Sequence, residues 1–164
     1  MITIDHKHSA LIAEAERRGT GQADNLRACF EVLALAAAID RDCAARLAPY
    51  QLSEGKFVLL FLLRERQDGL SPHELAERAG VTRATVTGLL DGLERDDYLL
   101  RQPHESDRRK SRIVLTAKGE AAAAALFDAH TRWIAHLFED FTAEERQVLS
   151  GLLARVRGKL GVSA

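Results

Sequence analysis

The stretch SPHELAERAGVTRATVTGLLDGLERDDYLLRQPHESDRRKSRIVLTAKG, residues 71–119, decides the fold. It opens with a capping box: Ser71 and Glu74 stand three apart, and Pro72 occupies the first helical position, where a missing N–H costs nothing. Leu75 and Ala79 give that short helix a buried side. Gly80 makes a turn, and Thr82 caps a second helix to about Asp96, with Val86, Leu89 or Leu90, and Leu93 as its inner stripe. Two short apolar runs follow, Tyr98-Leu99-Leu100 and Ile113-Val114-Leu115, on either side of a polar, charged tip. That pattern reads as a two-stranded hairpin. Helix, turn, helix and charged hairpin, in this order, describe a winged helix-turn-helix.

Upstream, Ser53 predicts the cap of a helix over 53–66, with Phe57, Leu60, Phe61 and Leu63 on its apolar side and Gln67-Asp68-Gly69 as its breaker. A long helix over 22–47 precedes it, with apolar Leu26, Phe30, Leu33, Ala37 and Cys43 or Ala44, and Pro49 stops it. Residues 9–18 read as a weaker helix ended by Gly19-Thr20-Gly21. Downstream, Thr116 caps a helix that runs through the alanines 121–125 toward Phe138. Thr142 and Glu145 form a second capping box for a last helix to about Leu160.

The expected fold class is therefore mainly α with a small β-wing. It divides into an N-terminal extension (1–21), an N-terminal dimerisation helix (22–51), the winged helix-turn-helix (52–116) and C-terminal dimerisation helices (117–164). The dimerisation assignment rests on apolar stripes, Leu126, Trp133 and Leu137, then Val148, Leu152, Leu153 and Val156, which have too little of their own chain to cover them. A partner subunit is the simplest cover.

At 164 residues the chain suffices for one domain plus an oligomerisation arm. A formal net charge of -1 does not announce a nucleic-acid binder, but residues 101–112 carry five cations (Arg101, Arg108, Arg109, Lys110, Arg112) against Glu105 and Asp107, a local net of +3. Local charge is what matters to a phosphate, because salt screens charges beyond about 8–10 Å. No apolar run approaches the roughly 18–20 residues of a membrane span, and the N-terminus with Asp5, His6 and Lys7 lacks the apolar core of a signal peptide. Cys29 and Cys43 share one predicted helix and form no disulfide framework. A cytoplasmic chain with no membrane contact is expected. There is no nucleophile-base arrangement, phosphate-cradling glycine loop or metal-ligand spacing, so neither an enzyme nor a cofactor is expected. Glu74 of His73-Glu74 is already taken by its cap, and His6-x-His8 lacks the Cys or carboxylate partners of a metal site.

The run Leu75-Ala76-Glu77-Arg78, then Thr82-Arg83-Ala84-Thr85-Val86-Thr87, Leu93-Glu94, Asp107-Arg108-Arg109 and Val114-Leu115-Thr116-Ala117-Lys118-Gly119 resembles the MarR family of bacterial transcription regulators. The resemblance covers nearly all the chain from about Gln22 onward. Its specific part is the D-R-R wing followed by the V-L-T-x-x-G exit. It implies a two-fold homodimer built from N- and C-terminal helices, with two winged readers gripping a pseudopalindromic double-stranded operator. It also implies a small-molecule or redox signal that changes the spacing between them. Three positions depart from the pattern. Gly88 and Gly92 lie inside the second helix, at about 1 kcal/mol each relative to Ala. Asp97 stands where a Gly commonly ends that helix, and Asp tolerates a left-handed backbone better than most residues.

In a helix-turn-helix the N-terminal part of the second helix meets base edges in the major groove. Here that part offers Thr82, Arg83, Thr85 and Thr87, and Arg83 has the fork to donate two hydrogen bonds to a guanine. The competing reading is that Thr82 only caps and Arg83 is solvated. Arg108 or Arg109 is expected in a narrow minor groove, with Asp107 orienting one of them. Lys110 and Arg112 are expected on phosphates. The resemblance places an effector in the cleft between dimer helices and reader. There Arg27 and Arg46 would neutralise an aromatic carboxylate and Phe30, Tyr50 and Phe57 would form walls, although each also reads as ordinary core or surface. Some members of the family sense peroxide through a thiolate near the N-terminal helix, which makes Cys29 and Cys43 redox candidates; the alternative is two small buried hydrophobes. The expected function is a dimeric, sequence-specific repressor released by a small aromatic acid. Its alternatives are a thiol-based redox-sensing repressor of the same fold and an effector-independent architectural DNA binder.

Overall fold

Both capping boxes close as their spacing predicts. In the computed structural model, which describes residues 6–19, 21–66, 68–103 and 111–161, Ser71 Oγ accepts the Glu74 N–H at 3.3 Å and Glu74 Oε2 accepts the Ser71 N–H at 2.8 Å. Thr142 and Glu145 repeat the exchange at 3.2 and 2.8 Å. Ser53, Thr82 and Thr116 also cap their helices, accepting from the N–H groups of Lys56, Thr85 and Gly119. Each such cap stabilises its helix by about 1 kcal/mol.

The described elements are α1 (His6–Arg17), α2 (Ala23–Leu47), a single 3-10 turn (Ala48–Tyr50), α3 (Glu54–Arg64), α4 (Pro72–Ala79), α5 (Arg83–Arg95), β1 (Leu99–Pro103), β2 (Ser111–Leu115), α6 (Ala117–Leu137) and α7 (Ala143–Lys159). This is a mostly helical chain with one small antiparallel sheet, the winged-helix architecture expected. Strands β1 and β2 pair from Leu99 opposite Leu115 to Pro103 opposite Ser111. On its other side Ile113 exchanges two backbone hydrogen bonds with Leu70, at 2.8 and 3.1 Å. The wing tip, 104–110, lies outside the described residues.

One core holds the reader together. Leu59, Leu60 and Leu63 of α3, Leu75 of α4, Val86, Leu90 and Leu93 of α5, Leu99 of β1 and Ile113 of β2 are all essentially inaccessible to solvent. Burying each such side chain contributes about 1.5–3 kcal/mol. Cys43 and Leu47 of α2 and Ala123, Leu126 and Trp133 of α6 extend the same core toward the chain ends.

Three expectations shift. Helix α3 stops at Arg64 rather than 66, and Leu59 takes the buried place given to Phe61. Phe61 is half-buried instead, stacked on Phe127 with centroids 5.0 Å apart. Pro49 does not end the helical path at once but sits inside the 3-10 turn, and Gln51 reverses the chain at φ 57°. On α2, Phe30 and Cys43 are buried as expected, but Leu33 and Ala37 face outward, and so do Val32 and Leu35. Among the described residues α1 packs on α2 around Phe30, and α3 and α6 pack on it around Cys43 and Leu47. Helix α7 buries none of its residues; Val148, Leu152, Leu153 and Val156 are all exposed.

Candidate nucleic-acid interface

Helix α5 has its inner stripe, Val86, Leu90 and Leu93, sunk in the core, and that leaves Thr82, Arg83, Thr85, Thr87 and Gly88 on the surface together. Thr82 has a double duty: its Oγ1 accepts the Thr85 N–H at 3.2 Å and lies 2.8 Å from Thr85 Oγ1. Thr87, exposed to solvent, donates from its Oγ1 to the Arg83 carbonyl at 2.9 Å. The Arg83 guanidinium reaches back across the turn to His73 of α4, with Nη2 3.3 Å from Nδ1. His73 Nε2 lies 3.5 Å from Glu77 Oε1. At its far end α5 is closed by Asp97 in the left-handed region, φ 61°. The Asp97 N–H donates to Glu94 O and the Tyr98 N–H to Leu93 O, so Asp97 performs the glycine's usual role in this motif.

The wing base spends part of its charge internally. Arg101 pairs with Asp91 of α5 and, at 3.4 Å, with Glu94. Arg112 lies 3.5 Å from Asp68. Two of the five cations counted in residues 101–112 are thus already balanced by acids outside that segment. Asp107, Arg108, Arg109 and Lys110 fall outside the described residues.

Behind the reading face, a polar joint ties α5 to the segment following α2. Lys56 Nζ bonds Asp96 Oδ2 at 2.8 Å and the Gln51 carbonyl at 3.4 Å, with both charged side chains largely buried. The Lys56 hydrogen bond, ahead of its charge, holds the Asp96 carboxyl below the usual carboxylate range. Gly92 lets the lysine pass: a Cβ there would come within 2.8 Å of Lys56 Cε. Lys118 Nζ donates to the Asp96 carbonyl at 2.6 Å and sits 4.4 Å over the Tyr98 ring. The Tyr98 hydroxyl, whose pKa burial raises, donates to Tyr50 O at 3.0 Å.

The five residues expected to line an effector cleft do not converge as a set. Arg46 and Tyr50 meet at a cavity of about 220 Å³ with Leu47, Leu126, Ala129 and His130. Phe57 reaches it through His130, the two rings 5.2 Å apart. Arg46 lies 5.0 Å over Trp133, whose indole Nε1 is buried without a hydrogen-bond partner among the described residues. Arg27 and Phe30 go elsewhere: Arg27 pairs with Glu16 of α1 at 3.1 Å, and Phe30 stacks on His8 at 4.2 Å. Sequence reading missed His130 because nothing local says that α6 faces the end of α2. The two cysteines differ. Cys29 is exposed, whereas Cys43 is buried; burial first, then Glu54, Asp40 and Asp42, pushes its thiol up, opposite to what a peroxide-reactive thiolate needs.

Among the described residues no group of three or more His, Cys, Asp or Glu stands ready for a metal ion, and no helix is long and apolar enough to cross a membrane.

The MarR family model matches residues 52–111. Over 112 residues the chain is 43% identical to the HTH-type transcriptional repressor YetL of Bacillus subtilis (strain 168), covering 68% of this chain and 67% of that one. It is 33% identical over 124 residues to the HTH-type transcriptional regulator PecS of Dickeya dadantii (strain 3937), covering 74% and 75%. The fold matches that of MepR from S. aureus in its DNA complex, at a TM-score of 0.68 and 21% identity over 80% of this chain and 95% of that one. Half-buried α5, its caps and the hairpin beside it thus occur in a chain that belongs to the MarR family of helix-turn-helix transcriptional regulators.

Proposed function

We propose that the chain is a homodimeric repressor that binds a pseudopalindromic operator in double-stranded DNA and releases it when a small aromatic acid binds. One observation carries the reading: α5 buries Val86, Leu90 and Leu93 and leaves Thr82, Arg83, Thr85 and Thr87 exposed around its N-terminal turns. That end of the helix has the donors, acceptors and methyl groups that read base edges in a major groove. The likeness to the B. subtilis repressor supports repression, and the fold shared with the DNA-bound MepR supports the docking mode. Residues 52–116 form the reader, with Arg108 or Arg109 entering the minor groove and Lys110 and Arg112 on phosphates. Segments 22–51 and 117–164 join the two copies, and operator binding places the work in the cytoplasm.

The effector site is the cavity at Arg46, Tyr50 and His130. Its occupant would meet the Arg46 guanidinium, itself paired with Asp42 at 3.1 Å, and the His130 imidazole for a carboxylate. Leu47, Tyr50 and Leu126 would meet an aromatic body, with the Trp133 and Phe57 rings packed behind Arg46 and His130. The cavity lies between α2, the 3-10 turn and α6, next to the Tyr50–Tyr98 and Lys56–Asp96 bonds that lead to α5. A ligand there would favour another placement of the two readers than the roughly 34–36 Å that successive major grooves require.

Fluorescence anisotropy tests this reading. The purified protein is titrated onto the DNA upstream of its own gene and onto scrambled DNA at fixed salt, then with a panel of aromatic carboxylates and with peroxide. Selective binding is expected, lost on adding one of the acids in the wild type and retained in Arg46→Ala. Equal affinity for scrambled DNA would leave an effector-independent architectural binder, and loss with peroxide alone would move the sensor to Cys29.

A further inference from the structure

We propose that His73, on the first helix of the reader, is a positioning residue that sets the base preference of Arg83 on the second. The inference rests on the reading of α5 as the base-contacting helix and adds a residue outside it. A guanidinium has only donors, so in the 3.3 Å contact between Arg83 Nη2 and His73 Nδ1 the imidazole nitrogen is the acceptor. The ring proton then belongs on Nε2, which points to the Glu77 carboxylate at 3.5 Å. Glu77 and His73 are one helical turn apart on α4, on the same face. A chain of contacts, Glu77 to His73 to Arg83, thus crosses the exposed side of the turn and ends at the first residue of α5.

The chemistry of the partner matters as much as its place. Arg101 is held by the carboxylates of Asp91 and Glu94, which cancel its charge. Arg83 is held at one nitrogen by a ring acceptor that brings no negative charge to it, so its positive charge and its remaining N–H donors stay available to DNA. A long, exposed side chain is thereby held toward one direction before it docks, and such preorganisation sharpens the penalty for a wrong base rather than raising affinity for every sequence.

The test uses the full chain. The wild-type protein selects duplexes from a randomised 26-base-pair library, and the selected duplex and its single-base variants are titrated by anisotropy at fixed salt. His73→Leu is expected to lower discrimination at one position per half-site on the order of tenfold. Affinity for scrambled DNA and the Tm should stay as in the wild type. His73→Asn, which keeps an acceptor oxygen near the Nδ1 position, is expected to restore most of the discrimination. In an Arg83→Ala background His73→Leu should change nothing further. Unchanged discrimination in His73→Leu, equal loss on every duplex, or effects that simply add to those of Arg83→Ala would overturn the proposal. If the wild type enriches no sequence, the reading of α5 itself fails, and this inference with it.

Discussion

Gly119 and Gly88 show how differently two helical glycines act in one chain. At the start of α6, a Cβ built on Gly119 would overlap the Tyr98 carbonyl oxygen, and backbone cannot swing aside. That carbonyl also accepts the Thr116 N–H, so the close approach is part of how α6 docks on the end of α5. Gly88, on the open face of α5, would place a Cβ in free space. Gly119→Ala is accordingly expected to destabilise the protein by about 1–3 kcal/mol. Gly88→Ala should stabilise it by roughly 0.5–1 kcal/mol through helix propensity alone. Urea unfolding midpoints that move in opposite directions would bear this out, and a shared direction would refute it. The V-L-T-x-x-G pattern marked Gly119 from sequence, but its reason lies in a carbonyl 21 positions upstream and is invisible in a linear string.

Between elements, the Lys56–Asp96 pair links α3 to the C-terminal end of α5. Its carboxylate has a folded pKa below its ordinary value, chiefly through the lysine's hydrogen bond. The sign follows from that direction. The pair's contribution is fully present above the unfolded Asp value of about 3.9 and is lost as pH falls through the lower folded value. Asp96→Asn removes that dependence and leaves Lys56 poorly matched at neutral pH. The gap in unfolding free energy between wild type and Asp96→Asn is therefore expected to be widest near pH 6–7 and to shrink below about pH 4. Denaturant titrations at stepped pH would measure it, and a gap independent of pH would show that the ion pair contributes nothing. Glu74, lowered by the Ser71 backbone and hydroxyl bonds, adds a dependence of the same sign to both proteins and cancels in the comparison.

For the whole molecule, the unaccounted surface is apolar. Helix α7 buries nothing of its own, Leu152 and Leu153 stand about half exposed, and α2 turns Val32, Leu33 and Leu35 outward. Exposed apolar side chains in this number on a regulator fit the proposed second copy better than solvent. Leu153→Glu would place a charge into such an interface and is expected to convert a dimer to a monomer in sedimentation equilibrium and to abolish tight operator binding. A wild type that sediments as a monomer would remove the two-fold model altogether.

The caps, the turn at Gly80, the left-handed Asp97 and the paired strands were all legible because each is governed by residues within a few positions of one another. The inner stripe of α5 was legible for the same reason, since a helix repeats every 3.6 residues whatever it packs against. On the short α4, Leu75 is buried as expected, but Ala76, rather than the half-buried Ala79, is its second buried residue. What lies on the surface of those helices answered to a different rule. The charge counted along residues 101–112 overstated the free cations, because Asp91, Glu94 and Asp68 come to Arg101 and Arg112 only when α5 and the wing are folded together. The clustering of Arg46 and Tyr50 with His130, the diversion of Arg27 and Phe30 to α1, and the hold of His73 on Arg83 likewise depend on which helix crosses which. Local hydrogen-bonding and periodicity are encoded residue by residue, whereas the pairing of distant polar groups exists only after the core has chosen the orientation of its helices.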